Sequence, residues 1–305
     1  MDTIQRKLLE EVAGFHEIPE GAYNIRANGE SIDRGSTEHI EIVSKEDGSG
    51  IDIIIQPGTK HESVHIPVVL SQSGLSEAVY NDFYIGEGSD VVIIAGCGIH
   101  NGGDTDSRHE GIHRFFVEKN ARVKYVEKHV GSGDGLGKRI MNPQTAVHID
   151  EGGYMEMESV QIKGVDSTNR LTTAELKAGA TFIVVERLMT HGGQNAVSTF
   201  EVELNGEGSG THITSRSVAK DKSTQLFVSK MTGNTACNGH TECDAIIMDD
   251  AAIRAVPEIS AACTDASLIH EAAIGKIAGE QIMKLMTLGL TEKEAEEEII
   301  NGFLR

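Results

Sequence analysis

The sequence predicts a mainly β chain with helices at both ends, and three observations carry that expectation. From about residue 30 to 235, runs such as IEIVSK, IDIIIQPG, DVVIIAG, HRFFVEKN and RVKYVEKH alternate apolar and polar residues and stop at Gly, Asn, Asp or Ser, which is the period-two signature of strands. Glycine is abundant (34 of 305 residues) and proline scarce (5), a balance that suits short strands joined by tight turns better than a large helical bundle. The two terminal segments instead carry apolar residues at helical spacing. With no Trp and only 8 Phe, Val, Ile, Leu and Met must supply most of the core.

A first helix is expected from Thr3 to about Gly14, because Ile4, Leu8 and Val12 recur every four residues and Leu9 widens the stripe. Pro19, Gly21 and Gly29 mark the connector that follows, so residues 1–29 read as helix and connector. Residues 30–262 form the expected β core. Within it the phrases GEGSDVVII, EKNARVKYV, KAGATFIVV and GEGSGTHIT repeat a turn residue, a small residue and a strand, marking successive turns of a repeated sheet architecture. A stacked β-helix, a β-sandwich and a cupin barrel all give such strings, and the pattern leaves these open. The lack of helices between strands argues against a doubly wound α/β domain.

Residues 263–305 are expected to be helical. In SLIHEAAIGKIAGEQIMKLMTLG, Ile274, Ile277, Ile282, Leu285 and Leu288 fall at helical spacing, with Gly289 as the C-terminal cap. Thr291 then caps a further helix and Glu294 completes a capping box; Ala295, Ile299 and Phe303 share one face. Two such short helices cannot build their own core and must pack on the β region or on a partner.

The net charge is −20, with 27 basic residues against 47 acidic. A broad nucleic-acid surface needs the opposite balance. No run approaches the roughly 18 apolar residues that cross a bilayer, and the N-terminus does not read as a signal peptide. The expected location is cytoplasmic, with neither nucleic acid nor membrane as partner.

Four cysteines occur, at 97, 237, 243 and 263, and a cytosolic chain of this size does not need them as disulfides. The segment ACNGHTECDAII offers thiolate, imidazole and carboxylate, a set that iron and zinc accept, without the spacing of a standard knuckle. If 243–247 enters a strand, Cys243 and Ala245 share one face and Asp244 takes the other, so Cys243 and Asp244 do not ligate one ion. His270 and Glu271 fall where the strand-to-helix change is expected, where both can approach an interface or act locally as helix-end residues. Cys97, in DVVIIAGCGIHNGG, reads either as an inert core thiol or as a thiol in a protected channel that handles an unstable sulphur species.

His109 and His113 stand about 13 Å apart in an extended strand, at about 3.3 Å per residue, too far to share an ion. His61 and His65 have the same spacing, so a cupin-like mononuclear metalloenzyme requires different strands to gather them. GSGDGLGKR, residues 131–139, lacks the phosphate-binding lysine-plus-hydroxyl pattern because Arg139 follows Lys138. It reads as a mobile connection, and no nucleotide is expected on this chain.

The segments DVVIIAGCGIH, HEGIHRFFVEKNARVKYVE, GVDSTNRLTTAEL, SRSVAKDKSTQLFV, HTECDAII and LIHEAAIGKIAGEQIMKLMTLGLTEKEAEEEIINGF resemble the SufB/SufD scaffold proteins of iron–sulphur cluster assembly. The resemblance covers roughly residues 30–305 and is that of a short member, more SufB-like because both Cys243 and Glu271 are present. It implies a right-handed parallel β-helix core, a C-terminal helical segment that docks a SufC-like ABC ATPase, and a scaffold that is not itself an enzyme. It also implies a homodimer or a heterodimer with a related chain, a sulphur donor and apo-protein acceptors. Cys243 resembles the cysteine that holds a nascent, transient cluster, Glu271 its acidic partner, and His270 the histidine contributed across the dimer interface. Cys97 resembles the cysteine that receives persulfide sulphur. Cys237 and Cys263 have no such counterpart. A purely structural companion subunit is the competing reading within the same family.

Overall fold

A computed structural model describes residues 1–14 and 19–305; connector residues 15–18 lie outside the described set. The N-terminal helix α1 (Thr3–Ala13) forms as its pattern predicts. Asp2 and Gln5 build a capping box, Gly14 closes the helix in the left-handed conformation, and Leu8, Leu9 and Val12 are buried. Two antiparallel hairpins follow, β1 (Ala22–Ala27) with β2 (Glu30–Gly35) and β3 (Ile40–Ser44) with β4 (Gly50–Ile55). The first strand thus begins inside the segment read as connector.

From there the chain winds between two sheets. One carries β5 (Lys60–Leu70), β7 (Asp90–His100), β9 (Arg122–Ser132), β12 (Tyr154–Lys163), β14 (Thr181–Thr190), β16 (Gly210–Ala219), β18 (Asn238–Ile247) and β20 (Ser267–Gly275). The other carries β4, β6 (Ser76–Ile85), β8 (Ser107–Val117), the short β10 (Arg139–Met141) with β11 (Gln144–Ile149), β13 (Ser167–Leu176), β15 (Asn195–Leu204), β17 (Thr224–Gly233) and β19 (Ala252–Ala261). Every pairing between successive turns is parallel. That parallel pairing makes the molecule a β-helix and rules out the sandwich and cupin barrel, whose neighbours are antiparallel. Strand–crossover–strand chirality makes the winding right-handed.

The recurrent turn phrase forms one corner of each coil. Gly88, Asn120, Gly152, Gly179 and Gly208 all have positive φ, the left-handed region open to Gly and tolerated by Asn. The next residue points into the corner and is small: Ser89, Ala121, Ala180 and Ser209 are fully buried. Each corner also bonds to the next coil. Gly88 N–H donates to Lys119 C=O at 2.9 Å, Asn120 to Glu151 at 3.0 Å, Gly152 to Ala178 at 2.9 Å and Gly179 to Glu207 at 2.9 Å. On the opposite side, Gly135 N–H donates to Asn101 C=O at 3.1 Å and Gly137 to Gly103 at 2.9 Å. The glycine-rich 131–139 segment is therefore stacked on the coil before it, contrary to the expected mobile connection.

Alternating strands turn one side chain in two inward, and these fill the space between the sheets. Phe83 and Phe115 stack with centroids 4.4 Å apart, and Phe182, Phe200 and the aliphatic rows continue the core. Each such buried side chain contributes about 1.5–3 kcal/mol.

The expected C-terminal helical segment starts later than the sequence suggests. Residues 267–275 form β20, paired in parallel with β18, and the helices are α2 (Gly279–Thr287) and α3 (Glu292–Phe303). In SLIHEAAIG the apolar spacing suits either structure, and the free edge of β18 selects strand. The Thr291–Glu294 capping box is present. On α3 the buried residues are Ala295 and Ile300; Ile299 is only half-buried. The two helices pack on each other, yet α2 buries none of its residues. Among the described residues no helix is long and apolar enough to cross a membrane.

Helix α1 lies against the outer side of β7. A Cβ on Gly98 would sit 3.0 Å from Leu8 Cβ, and one on Gly96 3.0 Å from Val12 Cβ, so these glycines allow the helix to seat. Gly98→Val is expected to lift α1 at a cost of about 1–3 kcal/mol. Amide exchange should accelerate across residues 5–12 while β14 and β16 stay protected; unchanged protection of α1 would refute this seating.

Candidate functional site

Parallel register turns equivalent positions of successive coils into files along the lumen. Ala95, Glu127, Ser159, Glu186, Ser215 and Cys243 are consecutive partners in one file. Cys97 pairs with His129, and His129 with Gln161, in the file beside it. The sheet therefore connects the two cysteines through a row of polar side chains, and Glu127, Ser159, Glu186 and Ser215 are each at most 3% exposed.

The row is closed by hydrogen bonds from the facing sheet. Arg170, on β13, reaches across the lumen: Nη1 donates to Glu127 Oε2 at 2.6 Å and Nε lies 3.9 Å from Glu186 Oε1. Ser198 and Ser215 donate to the two oxygens of Glu186 at 2.6 and 2.7 Å. Tyr125 donates to Glu127 at 3.2 Å and lies 2.8 Å from His113 Nδ1. His129 Nε2 stands 3.5 Å from Glu127 Oε1.

These contacts set the charge states. Burial alone would raise the Glu127 carboxyl, but the Arg170 guanidinium and His129 hold it well below the usual carboxylate range. Burial would lower Arg170, and Glu127 with Glu186 more than offsets this. Burial drives His113 down to about 4, so its imidazole is neutral at physiological pH. Burial, with the charges of Glu77 and Glu127, pushes the Cys97 thiol well above its ordinary value. Burial, with Glu186 and Asp244, pushes Cys243 up to about 12. Both cysteines are thus thiols in the resting chain, and any step that uses their sulphur needs a proton acceptor.

At the open end of the helix the expected site residues separate into two groups. Cys243 and Ala245 face inward and are buried, as strand geometry requires. Thr241 pairs with His270 and Cys243 with Ala272, so His270 shares the inner face, one strand over and two residues back. That offset places the two Cα atoms about 8 Å apart, a gap that a thiol and an imidazole can bridge through a bound ion. Both ring nitrogens of His270 are buried without a hydrogen-bond partner, so they are available to a ligand. Glu271 sits on the opposite face of β20, beside Glu242 in register and 3.8 Å from His240 Nε2. His270 and Glu271 therefore lie within a strand and point apart; they do not stand at a strand-to-helix boundary. Within one chain Cys243 and His270 therefore share the inner face of their strands, and Glu271 lies on the outer one. Among the described residues no group of three or more His, Cys, Asp and Glu has metal-holding geometry.

The histidine pairs also differ from expectation. His61 is exposed, and His65, paired with Ile94, lies outside the lumen. His109 and His113 both point inward, and their Nε2 atoms lie 3.3 and 3.1 Å from the position a Cβ would take on Gly111. The rings lean toward one another over the missing side chain, so the Cα spacing overstates their separation. Cys237 is buried and Cys263 partly so.

Replacing Arg170 leaves two buried carboxylates facing each other. Arg170→Met is expected to cost about 3–5 kcal/mol, read from the urea midpoint, and adding Glu127→Gln should recover part of it. A cost below about 1 kcal/mol would show that the ion pairs are not coupled. The pH dependence has a defined sign. Between pH 6.5 and about 4 the unfolded chain protonates His113 and the folded chain does not, so stability falls as pH drops through that window, by about 3 kcal/mol at most. The depressed Glu127 contributes fully above the ordinary carboxylate value of 4.5 and is lost as pH falls further. His113→Gln should flatten the upper part of this acid slope by close to one proton; an unchanged slope would locate the effect elsewhere.

A family model described as SUF system FeS cluster assembly, SufBD core domain, matches residues 71–303. An iron–sulphur cluster assembly SufBD family protein of Archaeoglobus fulgidus is 32% identical over 271 residues, which are 88% of this chain and 71% of that protein. One of Methanothermobacter thermautotrophicus is 31% identical over 234 residues, 75% of this chain and 55% of the relative. One of Methanocaldococcus jannaschii is 29% identical over 279 residues, 90% and 87% of the two chains. With its parallel β-helix and a family match over residues 71–303, the chain belongs to the SufBD family of the SUF system.

Proposed function

We propose that this chain is a cytoplasmic scaffold subunit on which iron–sulphur clusters are assembled and from which they are transferred, working with a SufC-like ABC ATPase. The observation that carries the reading is the buried polar file from Glu127 to Cys243, which begins beside Cys97 and ends one strand from the open edge. A protein needing only stability gains little from such a file, since well-packed apolar residues serve as well. In this reading Cys97 accepts sulphane sulphur from a donor, and the lumen shields its passage. Arg170 bars the way by bridging Glu127 and Glu186, so passage waits on separation of these ion pairs.

At the far end the Cys243 thiol and the His270 imidazole hold the nascent cluster as cargo. Glu271, on the other face, reaches such a cargo only across a boundary with a second scaffold chain, either a homodimer or a heterodimer with a related subunit. Mixed sulphur, nitrogen and oxygen ligation suits a cluster that must leave for an apo-protein acceptor. The apolar residues Met283, Met286 and Leu288 are exposed on and just after α2, and we assign this face to the ATPase. Only residues 276–278 separate α2 from β20, so movement of the docked helix pulls directly on the edge strand that carries His270 and Glu271.

Anaerobic purification with the ATPase partner, followed by iron and acid-labile sulphide analysis, tests the reading. Cys243→Ala should lower both contents by about tenfold, the loss expected when a thiolate ligand is removed. Cluster content equal to wild type would remove Cys243 from the site. Dimerisation and ATPase binding with no cluster in the wild type, even after reconstitution, would make the chain a structural companion.

A further inference from the structure

A small space in the lumen lies beside Cys97, lined by His109, Gly111, His113, Glu127 and His129 together with the apolar Ile66, Val68 and Met141. It offers about 10 Å³ to the centre of a water-sized molecule, which is room for one such group and no more. The space exists because Gly111 stands at an inward position: a Cβ there would come within 3.1 Å of His113 Nε2 and 3.3 Å of His109 Nε2.

Hydrogen bonding fixes how those imidazoles present themselves. His109 Nδ1 is 3.1 Å from Glu77 Oε1, and burial of Glu77 is outweighed by His109 and Arg26, so it stays ionised. Nδ1–H therefore donates to Glu77, and in the neutral imidazole Nε2 carries its lone pair toward the space. His113 Nε2 accepts from Asn81 Nδ2 at 3.4 Å, and Nδ1–H donates to the Tyr125 oxygen, whose own hydrogen goes to Glu127. One proton-accepting nitrogen, His109 Nε2, thus faces a one-atom space whose other walls are the Cys97 thiol, the Glu127 carboxylate, the His129 imidazole, the Met141 thioether and aliphatic carbons. A soft atom carrying a proton fits this set better than an anion or a carbonyl.

We propose that this cavity is the receiving pocket for a single sulphane sulphur on Cys97, with His109 as the group that takes the thiol proton and Gly111 as the residue that sets the capacity at one atom. The proposal rests on the reading of Cys97 as sulphur acceptor. In the step, the Cys97 S–H proton passes to His109 Nε2, and the thiolate attacks the outer sulphur of a persulfide R–S–SH. The new Cys97 S–S bond forms as the donor's S–S bond breaks, and the thiolate RS⁻ leaves and takes the proton from the His109 imidazolium. No net oxidation occurs; one sulphane sulphur changes thiol. The terminal S–H on Cys97 then occupies the cavity. A second sulphur has no space.

The test loads the complex with its ATPase partner anaerobically with glutathione persulfide. Sulphane sulphur is read by cyanolysis and by intact mass. Wild type should gain one sulphur per chain, on Cys97. Gly111→Val should lose loading, and Gly111→Ala, which adds the smallest side chain, should retain part of it, both with dimerisation unchanged and the β-helix still folded by circular dichroism. His109→Asn should keep the capacity of one but load about 100-fold more slowly near pH 7, with a rate that climbs only at alkaline pH as the Cys97 thiol ionises unaided. Full loading in Cys97→Ser would overturn the acceptor reading itself. So would a wild type that takes up no sulphur, whereas a blank Cys97→Ser with full loading in Gly111→Val, a wild type carrying two or more sulphurs on Cys97, or a His109→Asn rate equal to wild type would each overturn the pocket alone.

Discussion

Parallel register between coils is the constraint on which everything else in this molecule depends. Each corner pins the next through a backbone hydrogen bond and a left-handed Gly or Asn followed by a small buried residue. A slip of one residue anywhere would turn the inward set outward. Because register holds through the strand interiors from β5 to β20, with shifts at Lys60–Glu62 and Gln161–Lys163 near strand ends, a residue type chosen once per coil becomes a continuous row. The same rule that stacks Phe83 on Phe115 also lines up Glu127, Glu186 and Cys243. A repeat protein obtains its core and its internal path from one geometric device.

The internal path is held together by electrostatics under strict conditions. Three charged side chains at most 3% exposed share one stretch of lumen, and they are tolerable because Arg170 satisfies two carboxylates while Ser198, Ser215 and Tyr125 take up remaining acceptor sites. Burial, together with the neighbouring carboxylates, keeps Cys97 and Cys243 protonated. Any chemistry at either sulphur must therefore be accompanied by movement of a proton.

Much of the fold is legible in the strand pattern, and the rest is hidden by physical ambiguities. Helix α1 and the capping box of α3 are readable because caps are local chemistry. Alternation identifies strands but not their pairing partners, since parallel and antiparallel sheets expose similar strings; the family resemblance, and not the period, selects the β-helix. SLIHEAAIG misleads because its apolar spacing fits a helix, while the unpaired edge of β18 favours one more strand. The charged lumen also leaves a signal in the sequence. Tyr125, Glu127 and His129 share parity with the buried Val123, and Glu186 with Phe182 and Val184, so charged residues at core parity mark the interior. The approach of His109 to His113 cannot be read from spacing, because it depends on side chains leaning into the space that Gly111 leaves.

The division of the expected site between two faces of β20 has a mechanical consequence. An edge strand is bonded along one side only, and β20 has β18 on that side. Its inner face presents His270 beside Cys243, and its outer face presents Glu271. Among the described residues the other backbone edge of β20 is unpaired, so the inner face that carries His270 lies open toward the end of the helix. Helix α2 buries none of its residues and is joined to β20 by three residues, so a force applied to α2 reaches the β18–β20 pairing without passing through core packing.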